Sequence, residues 1–226
     1  MSESNKSESS ILNRIKDFIP GWAIGDILDE EGIICNAFNL VIDSCPESLL
    51  LKHTNVWIAI NGDTGTDVDG KKILEVFMVN SDLSNKYTKC REVDHATFQK
   101  ASFSGSTYEA TKLTPIYHFD SSLEDNKLKV LPSGIAAQAT YVPYFDPSSL
   151  ANALTNAIFT ENEYLPGTIE TAMMLQACID LMRTKISVAA IDDEDDELIA
   201  MYNAHIQNME AQLQREMQRI TGKKAE

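Results

Sequence analysis

The chain has 226 residues, 43% of them hydrophobic, which is apolar material for one sizeable core or two small ones. With 19 Lys and Arg against 34 Asp and Glu, its formal charge is −15 at pH 7. That balance excludes sequence-independent adhesion to DNA or RNA, which rests on basic side chains neutralising phosphates. No run approaches the ~18 continuous apolar residues of a membrane span, and "MSESNKSESS" lacks the apolar centre of a secretory leader. A soluble protein is expected, with flexible tails over residues 1–9 and 222–226.

The first element in chain order is "SSILNRIKDFI", which sets Ile11, Ile15, Phe18 and Ile19 on one helical face. Ser9 or Ser10 suits its N-cap, and Pro20-Gly21 stops it. Next, "DEEGIICNAFNLVIDSCPESLLLKH" repeats Ile33, Ile34, Ala37, Phe38, Val41 and Ile42 at spacings of three and four, behind acids suited to a helix N-terminus. Pro46 ends this helix, because proline disfavours a helical conformation in the residue before it. Proline also suits the start of a turn, so "CPESLLLKH" predicts a short helix running on from the second.

From Val56 the hydrophobic period shifts toward two. "VWIAI", "KKILEVFMV", "KYTKCREV", "TPIYHF", "NKLKVL" and "QATYVPYF" predict about six strands, enough for a small sheet or sandwich. "DHATFQKASFSG" interrupts them as a helical turn or a loop packed by Phe98 and Phe103. The helical period returns after "FDPSS". "SSLANALTNAIF" predicts a short helix capped by Ser148 or Ser149, and "PGTIETAMMLQACIDLMRTKISVAAI" is apolar nearly all round, as a central bundle helix is. In the last helix Ile199, Tyr202, Ile206, Met209, Leu213, Met217 and Ile220 recur at three-or-four spacing, so it begins near Asp195.

The fold class read from this order is α+β. Residues 10–55 and 147–221 are expected to form a helical bundle from the N- and C-terminal helices, with 56–146 as an inserted antiparallel β domain.

Two acidic stretches raise the question of a metal. "DDEDDE" at 192–197 opens the last helix, where carboxylates are stabilised by unpaired amides; a solvated acidic run spreads its side chains rather than converging them. In "NGDTGTDVDGKKILEV", Asp67, Asp69 and Gly70 imitate the middle of a calcium loop. Aligning Gly70 with that loop's glycine puts Gly65 and Val76 where two defining ligands belong. A Gly- and Asp-rich turn joining "VWIAI" to "KKILEVFMV" is the plainer expectation.

No catalytic, metal or cofactor residues are assigned. The four cysteines, Cys35, Cys45, Cys90 and Cys178, form no CxxC pair and no zinc spacing, and read as reduced, mostly buried thiols of a cytoplasmically made protein. Cys45, between Ser44 and Pro46, has the setting of a nucleophile at a helix start, but a buried cysteine is the more common occupant of such a place. His53, His95, His118 and His205 stand alone in the sequence, and G-x-S-x-G, H-E-x-x-H and P-loop patterns are absent. His118, in "IYHF", reads as a packed or exposed sheet residue. An enzyme is not expected.

"FNLVIDSCPESLL", then "KCREVDHATFQKA", "LTPIYHFDSSLEDNKLKVLPSG" and "ATYVPYFDPSS", then "DDEDDELIAMYNAHIQNMEAQLQ", together resemble tailed-bacteriophage neck or head-to-tail connector proteins of podovirus-like and crAss-like phages. The likeness spans about residues 10–220 and consists of short phrases rather than an invariant signature. It implies a virion protein made in the bacterial host cytoplasm and placed at the head-tail junction. It further implies a ring of about 12 copies, with the portal protein and adjacent neck or tail rings as partners and passive contact with DNA in the channel. The resemblance carries no catalytic residues and implies no cofactor and no membrane contact. In "NMEAQLQREMQRI", Gln and Glu flank an apolar seam suited to packing on another helix. Two other classes fit the same pattern of elements. One is an assembly adaptor or chaperone-like module absent from particles. The other is a metal-dependent hydrolase built on Asp63, Asp67, Asp69 or the 192–197 acids.

Overall fold

The computed structural model describes residues 15, 18–19, 29–54, 56–61, 64–80, 86–120, 126–146, 167–191 and 196–222. These form a mixed α+β structure with five helices and two largely antiparallel sheets. The chain divides into two compact units, Met1–His53 with Tyr144–Glu226, and Thr54–Pro143.

The first unit is helical. Helix α1 (Glu30–Ser44) begins after Asp29 in a left-handed conformation and carries Glu30 and Glu31 in its first turn. Its inner face is Ile34, Ala37, Phe38, Val41 and Ile42, all buried as the spacing predicts. Cys45 is extended, as a residue before proline should be, and the short α2 (Glu47–Leu50) follows with Pro46 at its N-cap. Proline therefore sits one position earlier than the first helical residue expected for it.

Helix α4 (Gly167–Ile191) packs on both α1 and α5 (Asp196–Thr221). Between Ile169 and Met182 it buries Ala172, Met173, Met174, Leu175, Ala177, Cys178, Ile179 and Leu181, which point in all directions around the axis. That is why its apolar residues show no single stripe. Beyond Met182 it becomes partly exposed. Helix α5 does carry a stripe: Tyr202, Ile206, Met209 and Ile220 are buried, and Ile199, Leu213 and Met217 half-buried. Each fully buried side chain of this size contributes about 1.5–3 kcal/mol through the hydrophobic effect. Arg183 on α4 donates to Glu210 on α5 at 2.6 Å, and Lys185 lies 5.9 Å above the Tyr202 ring.

The second unit holds two four-stranded sheets. The first has the order β1-β8-β3-β4, from β1 (Trp57–Ile60), β8 (Ala137–Pro143), β3 (Lys71–Asn80) and β4 (Lys86–Lys89), all antiparallel. The second is β2-β7-β6-β5, from β2 (Thr66–Asp67), β7 (Lys127–Leu131), β6 (Ile116–Asp120) and β5 (Arg91–Glu92), with β5 and β6 parallel. They share one core of Ile60, Val76, Met78, Ala137 and Ala139 from the first sheet and Leu128 and Val130 from the second, with Val68 and Cys90 beside them. The alternation of the strands places these residues on facing sides, as in a sandwich.

Helix α3 (His95–Ser102) covers part of the second sheet's other face. Phe98 and Ala101 pack there with Ile116 and Leu131. Asp94 caps it, accepting from the Thr97 amide at 2.8 Å and the Thr97 hydroxyl at 3.0 Å.

Several expectations are corrected. "KYTKCREV" is two strands in different sheets: the backbone N–H of buried Cys90 still donates to the Val76 carbonyl of the first sheet at 2.8 Å, whereas that of Arg91 donates to the Pro115 carbonyl beside β6 at 3.0 Å. The "GTDVDG" segment is not a simple turn between β1 and β3. Thr66–Asp67 forms β2 in the second sheet, and β8 lies between β1 and β3. "QATYVPYF" stops being strand at Pro143. Tyr144 and Phe145 belong to the helical unit, where the Phe145 ring meets Phe38 edge-on at 5.1 Å. The Asn39 amide side chain donates to the Phe145 carbonyl at 2.9 Å and accepts from its N–H at 2.8 Å, which fastens the segment to α1.

In the first predicted helix, Ile15 and Ile19 are buried and joined by a helical backbone bond of 3.2 Å, but Phe18 is exposed rather than packed beside them. The remainder of that helix and the 148–159 helix lie outside the described residues.

Candidate functional site

Only some of the residues singled out for metal chemistry are among the described ones. Helix α5 starts at Asp196, where the acidic run was expected to open it; residues 192–195 lie outside the described residues, as does Asp63. Asp67 accepts from the Asp69 amide at 2.8 Å, which closes a local turn around buried Val68. No group of three His, Cys, Asp or Glu side chains suited to a metal ion occurs among the described residues.

All four cysteines are buried and none is in a disulfide. Burial pushes the Cys90 and Cys178 thiols up to about 12, and that of Cys35 equally, where Asp146, Glu31 and Asp29 add to the effect. A nucleophilic thiol needs the opposite shift. Cys45 follows the end of α1 instead of opening a helix, and is buried.

The fold joins two of the histidines that are separate in sequence. His95, in the first turn of α3, and His118, on β6, place Nδ1 and Nε2 3.3 Å apart. His118 Nδ1 is 3.2 Å from the Val93 carbonyl, which can only accept, so Nδ1 carries a proton and, in the neutral ring, Nε2 carries the lone pair. His95 Nδ1 then donates to that lone pair, and His95 Nε2 accepts from the Gln99 amide at 2.7 Å. The sequence separation of 23 between the two histidines hides this pairing from any local motif.

Among the described residues of the β unit, the most exposed large apolar side chains lie on the loop that follows α3. Phe103 is 68%, Tyr108 62% and Leu113 73% exposed. Phe103 therefore does not pack the segment as expected; Phe98 does. The loop is built by its own bonds. Ser106 N donates to the Phe103 carbonyl, Glu109 N to the Ser106 carbonyl, and Ala110 N to the Ala101 carbonyl. Gly105, at φ 79°, donates its N–H to Glu109 Oε2 at 2.7 Å, and this left-handed backbone is one that glycine adopts without strain. Lys100 stands 5.9 Å over the Tyr108 ring.

A second apolar surface is the outer face of the first sheet. The register aligns Ala59, Gln138, Phe77 and Lys89 across it, with Trp57 on one edge strand and Tyr87 on the other, each 58% exposed. Phe77 and Tyr87 meet edge-on at 6.4 Å, and Lys89 pairs with Glu75 at 2.6 Å. In the helical unit, an open polar groove of about 430 Å³ between α4 and α5 is lined by Arg183, Ile186, Asn203, Ile206, Gln207 and Glu210.

No family model matches the chain, and no curated protein matches it significantly. No helix among the described residues is long and apolar enough to cross a membrane.

Proposed function

We propose that this chain is a structural subunit of a tailed-bacteriophage neck, one of a ring beneath the portal that connects head to tail and lines the DNA channel. The observation that carries it is the loop from Phe103 to Leu113, which holds three large apolar side chains in solvent on a backbone already ordered by internal hydrogen bonds. Ordering that loop costs conformational entropy, about 1–2 kcal/mol per residue for the backbone, before any of its apolar surface is covered. A surface prepared in this way suits a partner that covers it, with aromatic anchors at the centre of the contact.

The charge of −15 fits the same role. A negative channel wall repels the phosphate backbone, so DNA slides without adhering. In this architecture residues 10–55 and 147–221 form the helical bundle, and 56–146 are a β domain inserted in it. The exposed Phe103, Tyr108 and Leu113 would meet a neighbouring subunit of the ring, the portal or the next ring in the stack.

The test is incorporation into particles. Tagged wild-type chain and a Phe103→Ser/Tyr108→Ser/Leu113→Ser variant are expressed during infection, and gradient-purified virions are probed for each. Wild type is expected in the particles and the variant depleted from them, although both fold with the same circular dichroism. Wild-type chain that never enters particles would overturn the proposal and leave a non-virion adaptor.

A further inference from the structure

We propose that His95 and His118 form a two-imidazole site for a late first-row divalent cation, with Zn²⁺ the best geometric match. The nitrogens that face each other are 3.3 Å apart. Two nitrogens at Zn–N distances of 2.0–2.1 Å in tetrahedral geometry stand about 3.3–3.4 Å from each other, so the pair already spans one edge of that tetrahedron.

The surroundings prepare both ligands. An imidazole that binds a metal commonly donates its other ring N–H to a carbonyl or carboxylate, which fixes the tautomer and the ring plane. His118 Nδ1 donates to the Val93 carbonyl at 3.2 Å, which leaves the lone pair on Nε2; that lone pair accepts from His95 Nδ1 until His95 shifts its proton. His95 has Gln99 at 2.7 Å from its Nε2. Turning the Gln99 amide by 180° presents Oε1 in place of Nε2, and His95 Nε2–H then donates to it.

The proton count balances. The single proton that His95 holds on Nδ1 moves through solvent to Nε2, His95 stays neutral, and the cation takes the place of the shared hydrogen. Asp94, at the N-cap of the same helix, offsets the positive field of the helix terminus beside His95. No further His, Cys, Asp or Glu completes a three-ligand group among the described residues, so water occupies the other coordination positions, and the site is open to a donor from outside.

Imidazole ligation selects Zn²⁺, Cu²⁺ and Ni²⁺ over Mg²⁺ and Ca²⁺, which prefer oxygen. The test uses the full chain without a histidine tag, stripped of metal and titrated with ZnCl₂ by calorimetry, while side-chain ¹⁵N NMR follows the ring nitrogens. The expected result is one Zn²⁺ per chain with shifts confined to His95 Nδ1 and His118 Nε2. Affinity should fall at least about tenfold in His95→Gln and again in the His95→Gln/His118→Gln pair, as loss of about 1.4 kcal/mol or more per ligand requires. MgCl₂ should produce no such shifts. Unchanged Zn²⁺ affinity in the double variant, or no binding at millimolar Zn²⁺ by a protein whose melting temperature is intact, would overturn the site. His95 is exposed on the surface, so its replacement is not expected to unfold the chain.

Discussion

The thiols give the most direct residue-scale prediction. Cys35, Cys90 and Cys178 have folded values near 12 against the ordinary 9.0, because burial disfavours the thiolate. Their neutral folded form is fully stabilising below pH 9, and the contribution is lost as pH rises from 9 to 12, where the unfolded chain's thiols ionise first. Chemical denaturation should therefore show stability falling over that alkaline range. Iodoacetamide at pH 8 should leave all four buried cysteines of the native protein unlabelled and modify all four in urea. Asp94 behaves in the opposite sense. The Thr97 amide, and then its hydroxyl, hold the carboxyl below its ordinary 3.8, so the cap's stabilisation is present above that value and disappears as pH falls below it. Tyr144 is shifted too: burial first, and then its hydrogen bond to Asp43 and that group's charge, push the phenol well above the ordinary tyrosine range. Asn39→Ala removes both bonds to the Phe145 backbone at a part-buried site and should cost about 1–3 kcal/mol by urea titration. The cysteines' burial was legible from their scatter and apolar neighbours. The partnerships of Asn39 with Phe145 and of His95 with His118 were not, since each joins residues far apart in sequence through backbone geometry that no local pattern encodes.

Among the elements, the helices were the most legible, because a 3.6-residue period repeated over many turns leaves little ambiguity. Helix α5 begins within a residue of where its stripe predicts, and α1 stops where Pro46 requires. Met173, near the middle of the buried part of α4, is a sensitive point: Met173→Ala should destabilise by about 2–5 kcal/mol, while Met201→Ala, exposed on α5, should change stability by less than about 0.5 kcal/mol. Strand boundaries were less legible. In "KYTKCREV" the apolar residues Tyr87, Cys90 and Val93 stand three apart, a spacing that marks no strand end, so only the pairing of its two halves shows that it serves two sheets. Strand β2 is two residues long, too short for any period to register. Phe103 misled for a related reason. An aromatic residue at the end of a short apolar helix ordinarily packs, and here it faces solvent on a loop whose own hydrogen bonds hold it there.

For the whole molecule, one compact unit is drawn from both ends of the chain and the other from the stretch between them. In sequence the hydrophobic period changes near Val56 and returns after "FDPSS", because sheets and helices bury their apolar faces at different repeats. The proposed connector role rests in sequence on a resemblance alone, since contacts between subunits depend on exposed side chains that no local motif marks. The net charge of −15 predicts that purified protein does not retard double-stranded DNA at physiological salt, as a gel-shift experiment would show. Absolute quantification of this chain by mass spectrometry in purified particles, before and after genome release, tests the connector role most directly. A copy number of about 12, retained with the emptied shell and tail, is the predicted result for a closed ring at the portal vertex. Complete absence from the particles would contradict it.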